Sequence, residues 1–366
     1  MKTAVVVGGG IAGLSAAWEL AKRGWNVRVC ERADVTGAGC TRATLGLVYP
    51  LCPGSYAPEM VDVSFAGWRS YPAYAEEMSE MSGTRVSLLE RTLLDVAVDQ
   101  EELARVSSES AAYAARGFAG QVLGPAELEA CEPRLMDSAG GVAYPGVLHA
   151  DGAGLMSALA SSLSRRGSTV MRNSPVRSLD VKSGVCRGVR LATGETLGAD
   201  LVVLATGAAG FDTGDGPVLP VEAVRGQVIL AEMPRPWLGH MVYVAGLDII
   251  QRDDGTVLIG ATRERGETAP NATIAGLASI LNRVSTHLSV PPELRFTGVA
   301  VGLRPRSRTT LPVVQPLSHP ANVVIFNGLF RNGMVCAPTL ARLLVDAVES
   351  RDWTCLAAFQ DPAVAQ

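Results

Sequence analysis

The chain has 366 residues, more than one compact core usually holds, so two domains or one domain with a large insertion are expected. Hydrophobic residues at 48% and charged residues at 19% exclude intrinsic disorder. The balance of 32 Lys+Arg against 36 Asp+Glu, a net charge of −4, leaves no basic footprint for nucleic acid and no polybasic anchor for a membrane surface.

Residues 3–7, Thr-Ala-Val-Val-Val, read as a strand buried on both faces. Gly8-Gly9-Gly10-Ile11-Ala12-Gly13 follows, then Leu14, Ala17, Trp18 and Ala21 at helical spacing, a stop at Gly24 and a second strand, Val27–Glu31. These glycines and Glu19 argue against a signal peptide or a membrane span in the apolar first twenty residues. Residues 40–55 read as loop, 57–81 as a helix broken near Pro72, 85–97 as strand and 100–117 as helix. Leu155–Arg166 reads as helix, Gly188–Leu191 and the following segment as a hairpin, and Asp200–Ala205 as a buried parallel strand. Strands are expected at 218–231, 242–251 and 256–260, a helix at 273–288, a buried strand at Val323–Phe326, and a last helix, Pro338–Glu349, with Pro at its start.

The seven cysteines are odd in number, scattered and without a Cys-x-x-Cys pair, and the four histidines have no metal spacing. Reduced thiols, no metal and a cytoplasmic location are expected. Gly8-x-Gly10-x-x-Gly13 between a buried strand and a small-residue helix, with Glu31 about twenty residues on, is a dinucleotide-binding pattern. Gly8 permits the turn, Gly10 lets backbone approach a pyrophosphate, and Gly13 lets helix pack on strand. The helix amides face the anion, and Glu31 accepts from a ribose hydroxyl and repels a 2′-phosphate. By itself the pattern leaves NAD and FAD open.

With Ala205-Thr206-Gly207, Gly302-Leu303-Arg304-Pro305 and Gly328-Leu329-Phe330-Arg331-Asn332-Gly333-Met334…Ala337-Pro338, the chain resembles the FAD-dependent D-amino acid oxidase superfamily. Within it, the chain is most similar to the glycine oxidases, which are related to sarcosine oxidase. The resemblance runs from residue 3 to about 350 and implies an α/β fold. A Rossmann-type FAD-binding domain (1–82, 145–214 and 302–366) would be interleaved with a smaller α+β substrate domain (83–144 and 215–301) on a mostly antiparallel sheet. It implies FAD contacts at Gly8, Gly10, Ile11, Ala12, Gly13, Glu31, Arg32, Thr41, Arg42, Gly46, Val176, Thr206, Gly207, Arg304, Arg331, Asn332, Gly333 and Met334. The segment Gly302 to Leu311 has no cysteine, where sarcosine oxidases attach flavin, so non-covalent FAD is expected.

The resemblance also implies that Arg304 clamps a substrate carboxylate, with Arg331 close by; a guanidinium offers two parallel donors for the task. The expected reaction is hydride transfer from the carbon alpha to nitrogen to flavin N5. The imine hydrolyses to an oxo acid and an amine, and O2 is reduced to H2O2. A same-fold dehydrogenase of a D-amino or 2-hydroxy acid, using a quinone or other acceptor, stays open, as do a non-catalytic dinucleotide binder and the oligomeric state. Two positions depart from the glycine oxidases: Asp248 stands where they carry a tyrosine, and Arg263 follows Gly260-Ala261-Thr262 where they tend to be apolar. If both face the pocket, the substrate carries a second polar or charged end, as in an N-carboxymethyl compound or a dicarboxylic amino acid.

Overall fold

The computed structural model describes residues 1–211 and 221–364. Valines drive the first sheet: Val5 and Val6 are fully buried, on opposite sides of one strand. Its six strands run Val313–Pro316, Val323–Asn327, Leu201–Leu204, Thr3–Val7, Asn26–Cys30 and Thr169–Met171 in spatial order, all parallel except the first pair. Ala4 and Val6 pack against the helices Ile11–Lys22, Pro58–Ser82, Gly152–Arg165 and Gly333–Ser350. Val5 and Val7 pack with Leu179 and Val189 of a three-stranded antiparallel sheet, Val176–Lys182, Val185–Leu191 and Thr196–Gly198. Helices on one face and a small sheet on the other bury the central parallel strands, Leu201–Leu204 and Val323–Asn327 throughout, as continuous apolar strands require.

The second sheet has ten strands and one parallel pair, Leu88–Ala97 with Met241–Val244. Its spatial order is Glu264–Arg265, Val221–Glu232, Thr256–Gly260, Leu247–Gln251, Met241–Val244, Leu88–Ala97, Gly140–Ala150 and Leu47–Val48. Arg295–Ser307 joins Val221–Glu232, and Gln121–Leu123 joins Gly140–Ala150. Helix Ile274–His287 covers one face, where Ile249, Ile259, Ile280 and Val284 share a core. On the other face, Asp95, Tyr243, Asp248 and Gly260 lie in register across four neighbouring strands. The expected domain borders at 144/145 and 301/302 fall inside the strands Gly140–Ala150 and Arg295–Ser307. The border at 214/215 and the expected strand start at 218 lie outside the described residues.

Three elements correct the sequence reading. The helix holding Pro72 runs unbroken over 25 residues, so one lost backbone donor is tolerated where Phe65, Tyr71 and Met78 are packed. The last helix begins at Gly333, five residues before Pro338, which sits inside it. The stretch 242–251 is a hairpin of two strands, Met241–Val244 and Leu247–Gln251, turning at Ala245 and Gly246, both at positive φ. Among the described residues no helix is long and apolar enough to cross a membrane, and no cluster of His, Cys, Asp or Glu could hold a metal.

Candidate active site

A cavity of about 650 Å³ opens where the parallel strands end. Gly8, at φ +111°, permits the turn: a Cβ there would overlap the Ala205 carbonyl oxygen. A Cβ on Gly13 would overlap the Gly8 carbonyl oxygen, so helix Ile11–Lys22 sits on its strand only because Gly13 has none. Gly10, by contrast, has its nearest neighbour, Thr41 Oγ1, at 3.7 Å, which leaves the cavity side clear for a phosphate. Glu31 is buried; its Oε2 accepts from Gly9 N at 2.9 Å and its Oε1 from Ala33 N at 2.9 Å, leaving lone pairs for a ribose hydroxyl. Asn327 Nδ2 donates to Gly207 O at 3.1 Å and ties the Thr206-Gly207 turn to the neighbouring strand. Helix Gly333–Ser350 also points its start here: Asn332 makes no side-chain cap, and Gly333 and Met334 line the cavity. Two helix N-termini thus present amide donors and positive potential to one elongated space.

A second cavity of about 130 Å³ adjoins it, and the two share Cys40, Thr44, Phe330 and Arg331. Asp248, Arg263, Arg304, Tyr49 and Tyr56 line the smaller chamber. Arg304, in strand Arg295–Ser307, donates from Nη1 to Thr262 O at 3.0 Å. Its guanidinium lies over Gly226, where a Cβ would overlap it. Gly226→Ala should therefore push the guanidinium out of its seat, lowering kcat/KM on the order of 10²-fold while FAD content stays normal. Steady-state kinetics beside the flavin absorbance ratio checks this. Burial lowers the Arg304 pKa, and Arg331 and Arg263 lower it further, against Cys40 and Asp248. For Arg331, burial is outweighed by Asp248 and the phenols of Tyr49, Tyr56 and Tyr243, which hold its pKa above the usual value. Burial pushes the Tyr49 phenol up, and Asp248 adds to this while Arg331 opposes it.

Asp248 is 7% exposed, and burial pushes its pKa up to about 6 against Arg331, Arg263 and Arg304. Two strands away, Asp95 has its Oδ1 buried without a hydrogen-bond partner among the described residues. Burial raises the Asp95 pKa to about 7, with Arg105 opposing and Glu109, Glu102 and Asp248 adding. A carboxyl whose folded pKa exceeds its unfolded one gives its full stability below the unfolded pKa and loses it as pH rises through the folded value. The window here runs from about 4 to about 7. Asp95→Asn keeps the shape without the charge, so it should raise Tm at pH 8 and change it little at pH 4. The difference between the two is on the order of 4 kcal/mol, read by thermal unfolding at both pH values.

The larger cavity gathers Gly8, Gly10, Ile11, Ala12, Glu31, Arg32, Thr41, Val176, Thr206, Gly207, Arg331, Gly333 and Met334. Gly46, Asn332 and Arg304 line the smaller one, and Gly13 packs behind the turn. Arg42 is not among the residues lining either cavity: its Nε is drawn to Thr36 O at 2.8 Å, and Thr41 instead meets the first helix, its Oγ1 accepting from Ile11 N at 3.2 Å. Tyr49, Gly226, Asn327 and Cys40 were missed. The first lies in a stretch read as loop, and Gly226 has meaning only through its pairing with Gly302. Burial pushes the Cys40 thiol pKa up, against Arg304, so it is kept from the reactive thiolate form. His149, assigned no role from sequence, is scaffold. Burial and then Arg252 lower its pKa to about 4, so the neutral ring accepts from Arg252 Nε at 2.9 Å and donates from Nδ1 to Leu45 O at 2.8 Å.

A glycine-turned, doubly helix-capped dinucleotide cavity opening onto an arginine-lined chamber defines a redox enzyme of the dinucleotide-dependent class. The family described as FAD dependent oxidoreductase matches residues 3–347, and the chain belongs to that family. It is 31% identical to glycine oxidase of Pseudomonas putida, over 94% of this chain and 94% of that protein. It is 27% identical to glycine oxidase of Geobacillus kaustophilus, over 95% and 93%. The crystal structure of the Geobacillus kaustophilus enzyme superposes with a TM-score of 0.89, covering 98% of each chain at 26% identity. That of iminodiacetate oxidase from Chelativorans sp. BNC1 superposes with a TM-score of 0.83, covering 95% of each at 26% identity. The cofactor is FAD, held non-covalently; the cradle fits it, with room, two amide-rich helix ends and a buried acid where the ribose belongs.

Proposed function

We propose that the protein oxidises the C–N bond of a small amino acid or N-substituted glycine and passes the electrons to O2. The observation that carries this is the Arg304 guanidinium seated over Gly226 in a chamber that meets the FAD cavity at Cys40, Thr44, Phe330 and Arg331. The names of the relatives, glycine oxidase and iminodiacetate oxidase, support an amine bearing a carboxylate. In this reading, residues 1–82, 145–214 and 302–366 hold FAD and also supply most of the chamber wall, while 83–144 and 215–301 form the substrate domain, which adds Gly226, Asp248 and Arg263 among others to that wall. FAD supplies a two-electron acceptor when bound. Arg304 grips the carboxylate through two parallel donors and so fixes the direction of the Cα–H bond. Arg331, at the junction of the chambers, adds positive potential beside substrate and cofactor, and the start of helix Gly333–Ser350 adds more. Tyr49 and Phe330 line the chamber and give it aromatic surface. Water hydrolyses the imine, so that amino acid, O2 and water give an oxo acid, an amine and H2O2. Oxygen uptake and peroxide release in a one-to-one ratio test the acceptor; turnover only with an added quinone or dye would replace O2 in this account.

A further inference from the structure

The charges around the smaller chamber outnumber what a glycine-sized substrate needs. Arg263, Arg304 and Arg331 face it with Asp248, and among the described residues none of the four makes an ion pair with another. The Asp248 side chain makes no hydrogen bond to the described residues, although the residue is only 7% exposed; its backbone pairs in the sheet. A buried carboxylate without a donor is costly unless something pairs with it. Three guanidinium groups and one carboxylate carry a net charge of +2. A zwitterionic monocarboxylate adds nothing to that sum, whereas a substrate with two carboxylates and one ammonium reduces it. The chamber, about 130 Å³, has liquid room for about four waters and admits a small molecule only.

We infer that the chamber takes a small dicarboxylic amine, an N-carboxymethyl amino acid, with Arg304 on the carboxylate next to the oxidised carbon, Arg263 on the second carboxylate and Asp248 receiving the ammonium proton. This rests on the oxidase reading above. The ammonium N–H bond breaks, its electron pair stays on nitrogen as the lone pair, and the proton forms an O–H bond on Asp248. The neutral amine then holds the pair that drives hydride loss from Cα. The groups facing Asp248 from the surrounding elements are Arg263, Arg304, Arg331, Tyr49, Tyr243 and, one strand further, Asp95. The three arginines favour its ionised form, and burial holds its pKa near 6, so it accepts a proton above that pH and loses this ability below it.

The test compares iminodiacetate with sarcosine as anaerobic reductants of the FAD-loaded enzyme, and measures calorimetric binding of diglycolate, which has both carboxylates but no amine to oxidise, against acetate. Iminodiacetate should reduce the flavin at least tenfold more efficiently than sarcosine, and diglycolate should bind at least tenfold more tightly than acetate. Arg263→Ala should bring the iminodiacetate-to-sarcosine ratio down to about one and Arg263→Lys should restore part of it, with flavin content reporting folding. Asp248→Asn should lose the acid limb near pH 6 from the pH profile of flavin reduction. An unchanged ratio in Arg263→Ala, diglycolate binding no tighter than acetate, or an acid limb that survives in Asp248→Asn overturns the inference. Reduction by sarcosine but not by iminodiacetate overturns it while leaving the oxidase reading intact. Arg263-dependent diglycolate binding with no amine reducing the flavin would sink the oxidase reading and keep the second-carboxylate assignment.

Discussion

Arg304→Ala yields a folded, yellow protein whose kcat/KM falls on the order of 10³-fold, about 4 kcal/mol of lost transition-state stabilisation. The size follows from the two parallel donors the guanidinium offers: a carboxylate entering the chamber without them gives up hydration with no charge-assisted bonds in return. The loss divides in a telling way. If Arg304 only binds, KM rises and kcat holds; if it also aims the Cα–H bond, kcat falls as well. The second outcome is expected, because the guanidinium itself is held twice, by its seat over Gly226 and by its bond to Thr262 O at 3.0 Å. Rapid-reaction flavin reduction across substrate concentrations separates the two. Added guanidinium should recover part of the activity of Arg304→Ala, which a globally damaged protein would not show.

Gly13→Ala has the other large effect, and on the cofactor. The added methyl would overlap the Gly8 carbonyl oxygen, and backbone on both sides leaves nothing flexible to yield. Helix Ile11–Lys22 must lift from strand Thr3–Val7, carrying the amides at its start away from the pyrophosphate. The protein should purify colourless, with FAD affinity weakened at least about a hundredfold, read by quenching of flavin fluorescence. Gly9→Ala is the comparison for the same turn: its methyl would lie 3.0 Å from Glu31 Oε2 and 3.1 Å from Glu31 Cβ, contacts that a shift of a few tenths of an ångström relieves, so the loss is milder than at Gly13, where a backbone oxygen would lie at 1.9 Å. Equal losses in the two variants would mean that the turn fails through its general flexibility and not through the contact of Gly13 with Gly8.

The FAD cradle was legible because its determinants are local. The valine strand, the glycine turn and the acid at the next strand's end lie within thirty-one residues, and Gly13 is required by its own neighbours Gly8 and Val6, although Gly8 is required by the distant Ala205. The substrate chamber was legible only in part. Asp248 and Arg263 were singled out because they depart from a resemblance, and the structure places both on the chamber wall. Gly226 and Asp95 gave no signal, since each acts through a pairing with a residue far away, Gly226 opposite Gly302 and Asp95 opposite Tyr243, and Tyr49 lies in a stretch read as loop. The strand Arg295–Ser307 escaped detection because Gly298, Gly302 and Pro305 break its β pattern and most of it is half-buried, which blurs any alternation. The last helix was started too late because Pro favours a first turn, while the true start at Asn332-Gly333 has no side-chain cap and leaves its amides free for a ligand.

The most direct test of the central claim is the visible spectrum of the purified protein under anaerobic conditions, before and after glycine, sarcosine, iminodiacetate, D-amino acids and 2-hydroxy acids are added in turn. A yellow protein whose flavin band is bleached by one or more of the amines, with an oxo acid released, is the predicted result. Bleaching by a 2-hydroxy acid alone, or by none of the amines while FAD remains bound, would contradict it.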